Sequence, residues 1–317
     1  MTDRPSQSTF SDASPLQRDI LRTLLYFDIF RHPLTTAEIY RYLPSDSTSP
    51  EEIQKACLTM PLSGILRHED GFFFLISGGE SNPLPARRTN ERRARRFMTI
   101  ARIMGSLIRR FPFVRGLYIS GELSKGVLSK KGDIDFLIVT APGRVWVCRT
   151  LIILFKKIFL LNRKRLLCAN HFVAEDYFEI PERNRYTALE AVTLKPVFNG
   201  VFLSNYVREN SWILDFFPNV GIPEAAGEPK RPVGILQGIL EYPLRGRAGD
   251  AIDATLMNFW RTVWTKRYAH VPEEKRNQLF RTERSLSTAY AGDFLTQILS
   301  QYKRRLSDYH LDRMERP

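Results

Sequence analysis

Cysteine is scarce in this chain: Cys57, Cys148 and Cys168 are the three among 317 residues. They are too few and too scattered for a disulfide framework or a structural zinc site, and reduced thiols suit the cytoplasm. The five histidines are isolated from one another, and His171 reads as a strand residue rather than a ligand. A long apolar run is also missing. The most apolar stretch, Val145 to Leu161, is interrupted by Arg149, Lys156 and Lys157. It falls short of the roughly 20 apolar residues that a membrane span needs. It reads as a buried helix, with an amphipathic helix at a membrane surface as the alternative. The opening, MTDRPSQSTFSDAS, is polar and lacks the apolar segment of a signal peptide. Residues 1–14 therefore read as a disordered leader, and no internal repeat or low-complexity tract follows. Acids are missing from one region. Between Arg87 and Arg110, nine arginines stand against Glu91 alone, in a chain whose net charge is +13. Such a stripe favours polyanions such as nucleic acid, nucleotides or acidic membranes, with a solvated helix face as the alternative.

What is present describes a globular protein. Hydrophobic residues make up 43% and charged residues 26%, so disorder is not the default, and the length suits two or three domains. Ser14-Pro15 is a helix start, a capping residue before a proline in the first turn. Leu16, Ile20, Leu24 and Phe27 follow at helical spacing. Thr35 with Glu38, and Ser49-Pro50 with Glu52, are capping boxes opening two further helices. In LRHEDGFFFLIS (Leu66 to Ser77), Asp70-Gly71 is a hairpin turn signal. Three short helices and a hairpin read as a winged-helix-like module over 15–80. Such modules place their third helix in a DNA groove, yet here that helix opens with Glu51 and Glu52, which repel phosphate. Contact with protein, including docking within the chain, is favoured over DNA reading.

SGGESNPLPARR (Ser77 to Arg88) is the expected linker. Arg87 to Arg110 then reads as one helix with Phe97, Ile100, Ile103, Met104 and Leu107 inward. The strand GLYIS, the loop GELSKGVLSKKG, the strand DIDFLIVT, the helix from Val145 and the strand LLCANHFVAED follow. The region 181–317 reads as mainly helical, over Arg183–Val197, Val201–Phe216, Asp250–Tyr268 and Ser285–Tyr309, with a Pro/Gly-rich connection at 218–234.

One segment resists a purely structural reading. In DIDFLIVT, strand alternation turns Ile134, Phe136 and Ile138 to the core and puts Asp133 and Asp135 together on the other face. Two like charges roughly 6–7 Å apart along a strand gain nothing for folding. A divalent cation between them would remove that penalty.

Helix, strand, glycine turn, strand with Asp-x-Asp, helix, strand: this order resembles the nucleotidyltransferase domain of the DNA polymerase β superfamily. Gly121 stands at the turn, and ten residues separate Glu122 from Asp133. The wider chain is similar to bacterial nucleotidyltransferase-domain proteins in which a segment like TLLYFDIFRHPLTTAEIYRYL precedes the transferase domain. WVCRTLIILFKKIFLLNRKRLLCANHF is similar to the same group. The resemblance implies an α+β fold: a nucleotidyltransferase-type mixed sheet with helices over 87–180, after the winged-helix-like module and before the helical region. It implies Mg²⁺ held by Asp133 and Asp135, and a third acid on the strand after the central helix. There Asn170 stands mid-strand, and Glu175 at the strand's end is the choice. Gly121, Glu122, Ser124 and Lys125 would take the nucleotide. An acceptor hydroxyl, on nucleic acid, protein or another molecule, would attack the α-phosphate of a nucleoside triphosphate. Glu122 departs from the family's serine, which opens the alternative of a non-catalytic nucleotide- or nucleic-acid-binding regulator that keeps the fold.

Overall fold

The computed structural model describes residues 13–46, 49–60, 66–76, 81–223, 233–290 and 292–311. Most of the expected leader, linker residues 77–80 and the middle of the 218–234 connection lie outside them.

The first helices start where local chemistry dictates. In α1 (Pro15–Asp28) the Ser14 hydroxyl accepts from the Gln17 N–H, and the Gln17 side chain accepts from the Ser14 N–H. After β1 (Leu34–Thr35), Thr35 and Glu38 make the same reciprocal pair at the head of α2 (Thr36–Tyr42), and Ser49 and Glu52 repeat it for α3 (Pro50–Leu58). Each box satisfies amide groups that a helix start leaves without partners. β2 (Leu66–Glu69) and β3 (Phe72–Leu75) are joined by Asp70 and Gly71, both at positive φ as a two-residue hairpin turn requires. The small antiparallel sheet has the order β1-β3-β2.

α4 (Leu84–Ile108) leads into β4 (Val114–Ser120), the single turn α5 (Gly121–Ser124), β5 (Asp135–Thr140), α6 (Val145–Phe159) and β6 (Cys168–Ala174). Then come α7 (Arg185–Val192), β7 (Lys195–Phe198), α8 (Val201–Glu209), α9 (Ile213–Phe216) and α10 (Ile235–Glu241). α11 (Gly246–Arg267), α12 (Glu273–Leu279), β8 (Leu286–Thr288) and α13 (Phe294–Asp308) complete the described chain. The larger sheet runs β7-β4-β5-β6-β8. Only β5 and β6 pair in parallel, with α6 as the crossover that a parallel pair needs. The fold is thus mixed α+β with a mixed sheet. Among the described residues no helix is long and apolar enough to cross a membrane.

Both faces of this sheet are covered. Leu117, Ile119, Phe136, Ile138 and Phe172 pack with Ala101 of α4, Trp146 and Ile152 of α6 and Trp264 of α11. On the other face, Tyr118, Leu137, Val139 and Val173 join a core shared with Ile20 of α1, Ile39 of α2, Leu189 of α7 and Leu306 of α13. The N-terminal module is therefore docked against the rest of the chain. Arg185 stands at that junction: it donates to the Tyr42 carbonyl at 3.1 Å, and its guanidinium lies 5.4, 4.9 and 5.7 Å from the ring centroids of Tyr26, Phe217 and Tyr302.

Several expectations are corrected. The region 181–317 is mainly helical, but it also supplies β7 and β8, so the sheet is not closed by residue 180. The helix expected over Arg183–Val197 ends at Val192, because Lys195–Phe198 finds a strand partner in β4. The helix expected from Ser285 begins only at Phe294, after β8. Ile103 and Leu107 face solvent, and the inward stripe of α4 is Ala94, Ala101, Met104, Gly105 and Ile108. Small residues let α4 approach the sheet closely: a Cβ on Gly105 would collide with Val197 of β7. Arg87 leaves the basic stripe as well, being buried between Glu38 and Glu91.

Candidate metal and phosphate site

The site forms where β4 ends. Gly121 sits at φ +66, in the left-handed region that glycine tolerates best, and a Cβ there would run into the Asp135 carboxylate. The turn thus rests directly on Asp135, whose backbone pairs with Ser120. Regular strand structure begins only at Asp135, and Asp133 lies just before it. Side-chain donor atoms of Asp133, Asp135 and Cys168 nevertheless lie within 4.8 Å of one another. Cys168 arrives by the parallel register, which sets it opposite Asp135.

The electrostatics of this cluster are unfavourable without a counter-charge. Burial, and then the neighbouring Asp133 carboxylate, push the Asp135 carboxyl up to about 7. A hydrogen bond from the Cys168 thiol and the Lys125 ammonium oppose that rise, while Glu190 adds to it. Burial, followed by the two aspartates, raises the Cys168 thiol well above its ordinary value, so it stays protonated and can donate. The Asn170 amide is the other neighbour, 3.4 Å from Asp135 Oδ1.

Cations gather beside the acids. Lys125 Nζ donates to the Gly121 carbonyl at 3.1 Å and pairs with Glu190 of α7 at 2.8 Å. Lys195 of β7 is paired in register with Ile119, and burial, then Arg41 and Lys125, hold its ammonium below its usual range. Lys125, Lys195 and Arg41 therefore share one electrostatic neighbourhood. Arg41 comes from the N-terminal module and donates to the Val192 carbonyl.

The fold brings Gly121, Lys125, Asp133 and Asp135 together. Ser124 is buried and its hydroxyl donates to the Gly121 carbonyl at 2.8 Å, so it braces the turn. Glu122 accepts the Ser129 N–H at 2.6 Å, closing the loop rather than reaching the acids. Glu175 is misplaced for metal binding. Its N–H donates to the Thr140 carbonyl, at the far end of β5 and roughly 17 Å along the strand from Asp135. The parallel register gives the third position to Asn170 and Cys168 instead. Neither Cys168 nor Glu190 carries a local sequence signal, because each reaches the site through a long-range pairing. His171 lies within β6, with its Nδ1 2.8 Å from the Tyr290 hydroxyl.

No protein-family model matches this chain, and no curated protein or solved structure matches it. The functional reading therefore stands on the site itself.

Proposed function

We propose that this chain is a Mg²⁺-dependent nucleotidyltransferase, moving a nucleoside monophosphate from a nucleoside triphosphate to an acceptor hydroxyl. The observation that carries the reading is the Asp133–Asp135 pair beneath the Gly121 turn, crowded enough to push one carboxyl up to about 7. Carboxylates are the donors a hard cation takes, and a buried like-charged pair fits one. When bound, Mg²⁺ would supply charge neutralisation on the phosphates. Asp133 and Asp135 would hold it, and Cys168 would keep them oriented by hydrogen bonding. Lys125, Lys195 and Arg41 are suited to the triphosphate oxygens, for which phosphoryl transfer chiefly needs positioning and positive charge. The order α4-β4-α5-β5-α6-β6 supports the nucleotidyltransferase reading, and the β1-β3-β2 sheet behind three helices supports the winged-helix reading of the module.

A regulator that binds nucleotide without transferring it is the second reading. It is favoured by Asn170, a neutral amide beside Asp135 where a third carboxylate is expected. Incubation with each labelled nucleoside triphosphate and Mg²⁺, alongside a binding titration, separates the two. Transfer reads as labelled product with pyrophosphate release, and regulation as Mg²⁺-dependent binding without product. Nucleotide binding that survives Asp133→Asn/Asp135→Asn unchanged sinks both.

A further inference from the structure

The outer side of α4 and α6 presents a surface that nucleotide transfer does not use. The Arg165 guanidinium stacks over Phe97 at 4.7 Å, and the Phe111 ring meets Phe155 at 5.2 Å. These two contacts run the end of α6 antiparallel to α4. Away from the core, α4 exposes Ile103 (64%) and Leu107, four residues apart on one face. The end of α6 exposes Leu154, Ile158, Phe159 (70%) and Leu161 (73%). Leu161 also stands at φ +49, a conformation that is costly for a leucine and here returns no packing. Burial against something outside the chain is the return that is missing.

The rim indicates what that something is. Arg102, Arg110, Lys157, Arg163 and Lys164 are all exposed around the apolar side chains. No Asp or Glu occurs from Arg92 to Gly121, or from Phe136 to Ala174. An apolar centre with a cationic, acid-free rim is the pattern of a helix lying in the interface of an anionic bilayer. A second copy would set this rim against an identical one and repel. A nucleic acid would leave the aliphatic side chains without a partner.

We propose that this face docks on an anionic phospholipid bilayer, with Phe159 and Leu161 entering the headgroup boundary and the basic residues meeting lipid phosphates. The docked face adjoins the acidic cluster, because Ile134 N–H donates to the Arg165 carbonyl and Cys168 N–H to the Ile134 carbonyl. The proposal holds whether or not the site transfers nucleotides.

Sedimentation of the full chain with vesicles tests it, using phosphatidylcholine alone and phosphatidylcholine mixed with phosphatidylglycerol. The chain should sediment with the mixed vesicles only, and added salt should release part of it. Phe159→Glu/Leu161→Glu should lower vesicle affinity at least about tenfold, since both lost side chains are large apolar ones. Both are solvent-exposed, so the melting temperature should not change. Failure to sediment with the mixed vesicles overturns the proposal. So does affinity that the double variant retains, which would mark a purely electrostatic, nucleic-acid-like site. A dimer in solution that the double variant converts to monomer overturns it in favour of a copy-to-copy interface.

Discussion

Replacing Asp135 by asparagine should stabilise the fold, and by an amount that depends on pH. In the folded chain burial and the Asp133 carboxylate raise this carboxyl from 3.8 to about 7. Between those two values the native state binds the proton more readily than the unfolded chain does. Parent stability should therefore fall as pH rises from the lower value through the upper one, and level off above it. A rise of about three pH units, at about 1.36 kcal/mol each, sets a ceiling of about 4 kcal/mol. Asp135 is partly exposed, and solvent screening brings the expected gain to about 2 kcal/mol. Asparagine keeps the shape and an oxygen for the Asn170 amide but loses the charge. Urea unfolding at a series of pH values is the assay. Parent and mutant should coincide near about pH 4 and separate by about 2 kcal/mol near about pH 8, with the mutant more stable. Added Mg²⁺ should stabilise the parent alone. A mutant that is less stable at the higher pH, or a gap that ignores pH, would refute the reasoning.

Two further substitutions probe the turn. Gly121→Ala forces a side chain into the left-handed region and against the Asp135 carboxylate. It should cost at least about 1–2 kcal/mol in thermal unfolding and abolish nucleotide binding in whatever fraction folds. A folded alanine variant with parental nucleotide affinity would mean that the close approach does not matter. Glu122→Ser removes the acceptor of the Ser129 N–H, so it should lose about 0.5–1.5 kcal/mol, speed hydrogen exchange at Ser129 and weaken nucleotide binding. Tighter binding instead would show that the carboxylate repels triphosphate more than it braces the loop.

The first half of the fold is legible because its signals are local. Ser14, Thr35 with Glu38, and Ser49 with Glu52 each bond within one turn of chain, and Asp70-Gly71 closes a hairpin by its own backbone angles. The same holds for Asp133 and Asp135, two residues apart, and for Gly121, whose lack of a side chain is visible in any register. Elements defined by distant partners are not legible. Lys195–Phe198 contains Pro196, which cannot donate to a ladder, and it becomes a strand only because the outer edge of β4 is open. Glu175 fails as a ligand for a related reason. Its distance from Asp135 depends on the parallel register of β5 and β6, which nothing within either strand records. Ile103 and Leu107 fit an inward helical stripe by spacing, but the sheet meets α4 along its small residues.

The docking of the N-terminal module has a consequence for how its sequence can drift. Arg185 grips the carbonyl of Tyr42, and the Asn219 amide donates to the carbonyls of Tyr40 and Ser45. Arg41 reaches back to the Val192 carbonyl, and Arg22 to that of Leu311. In every one of these bonds the acceptor is main chain, which is the same whatever side chain it bears. The exposed residues of the 43–46 turn can therefore be exchanged without loss of a grip, whereas one inserted or deleted residue there would shift several carbonyls at once. Related chains should vary in side chain along this turn while holding its length constant.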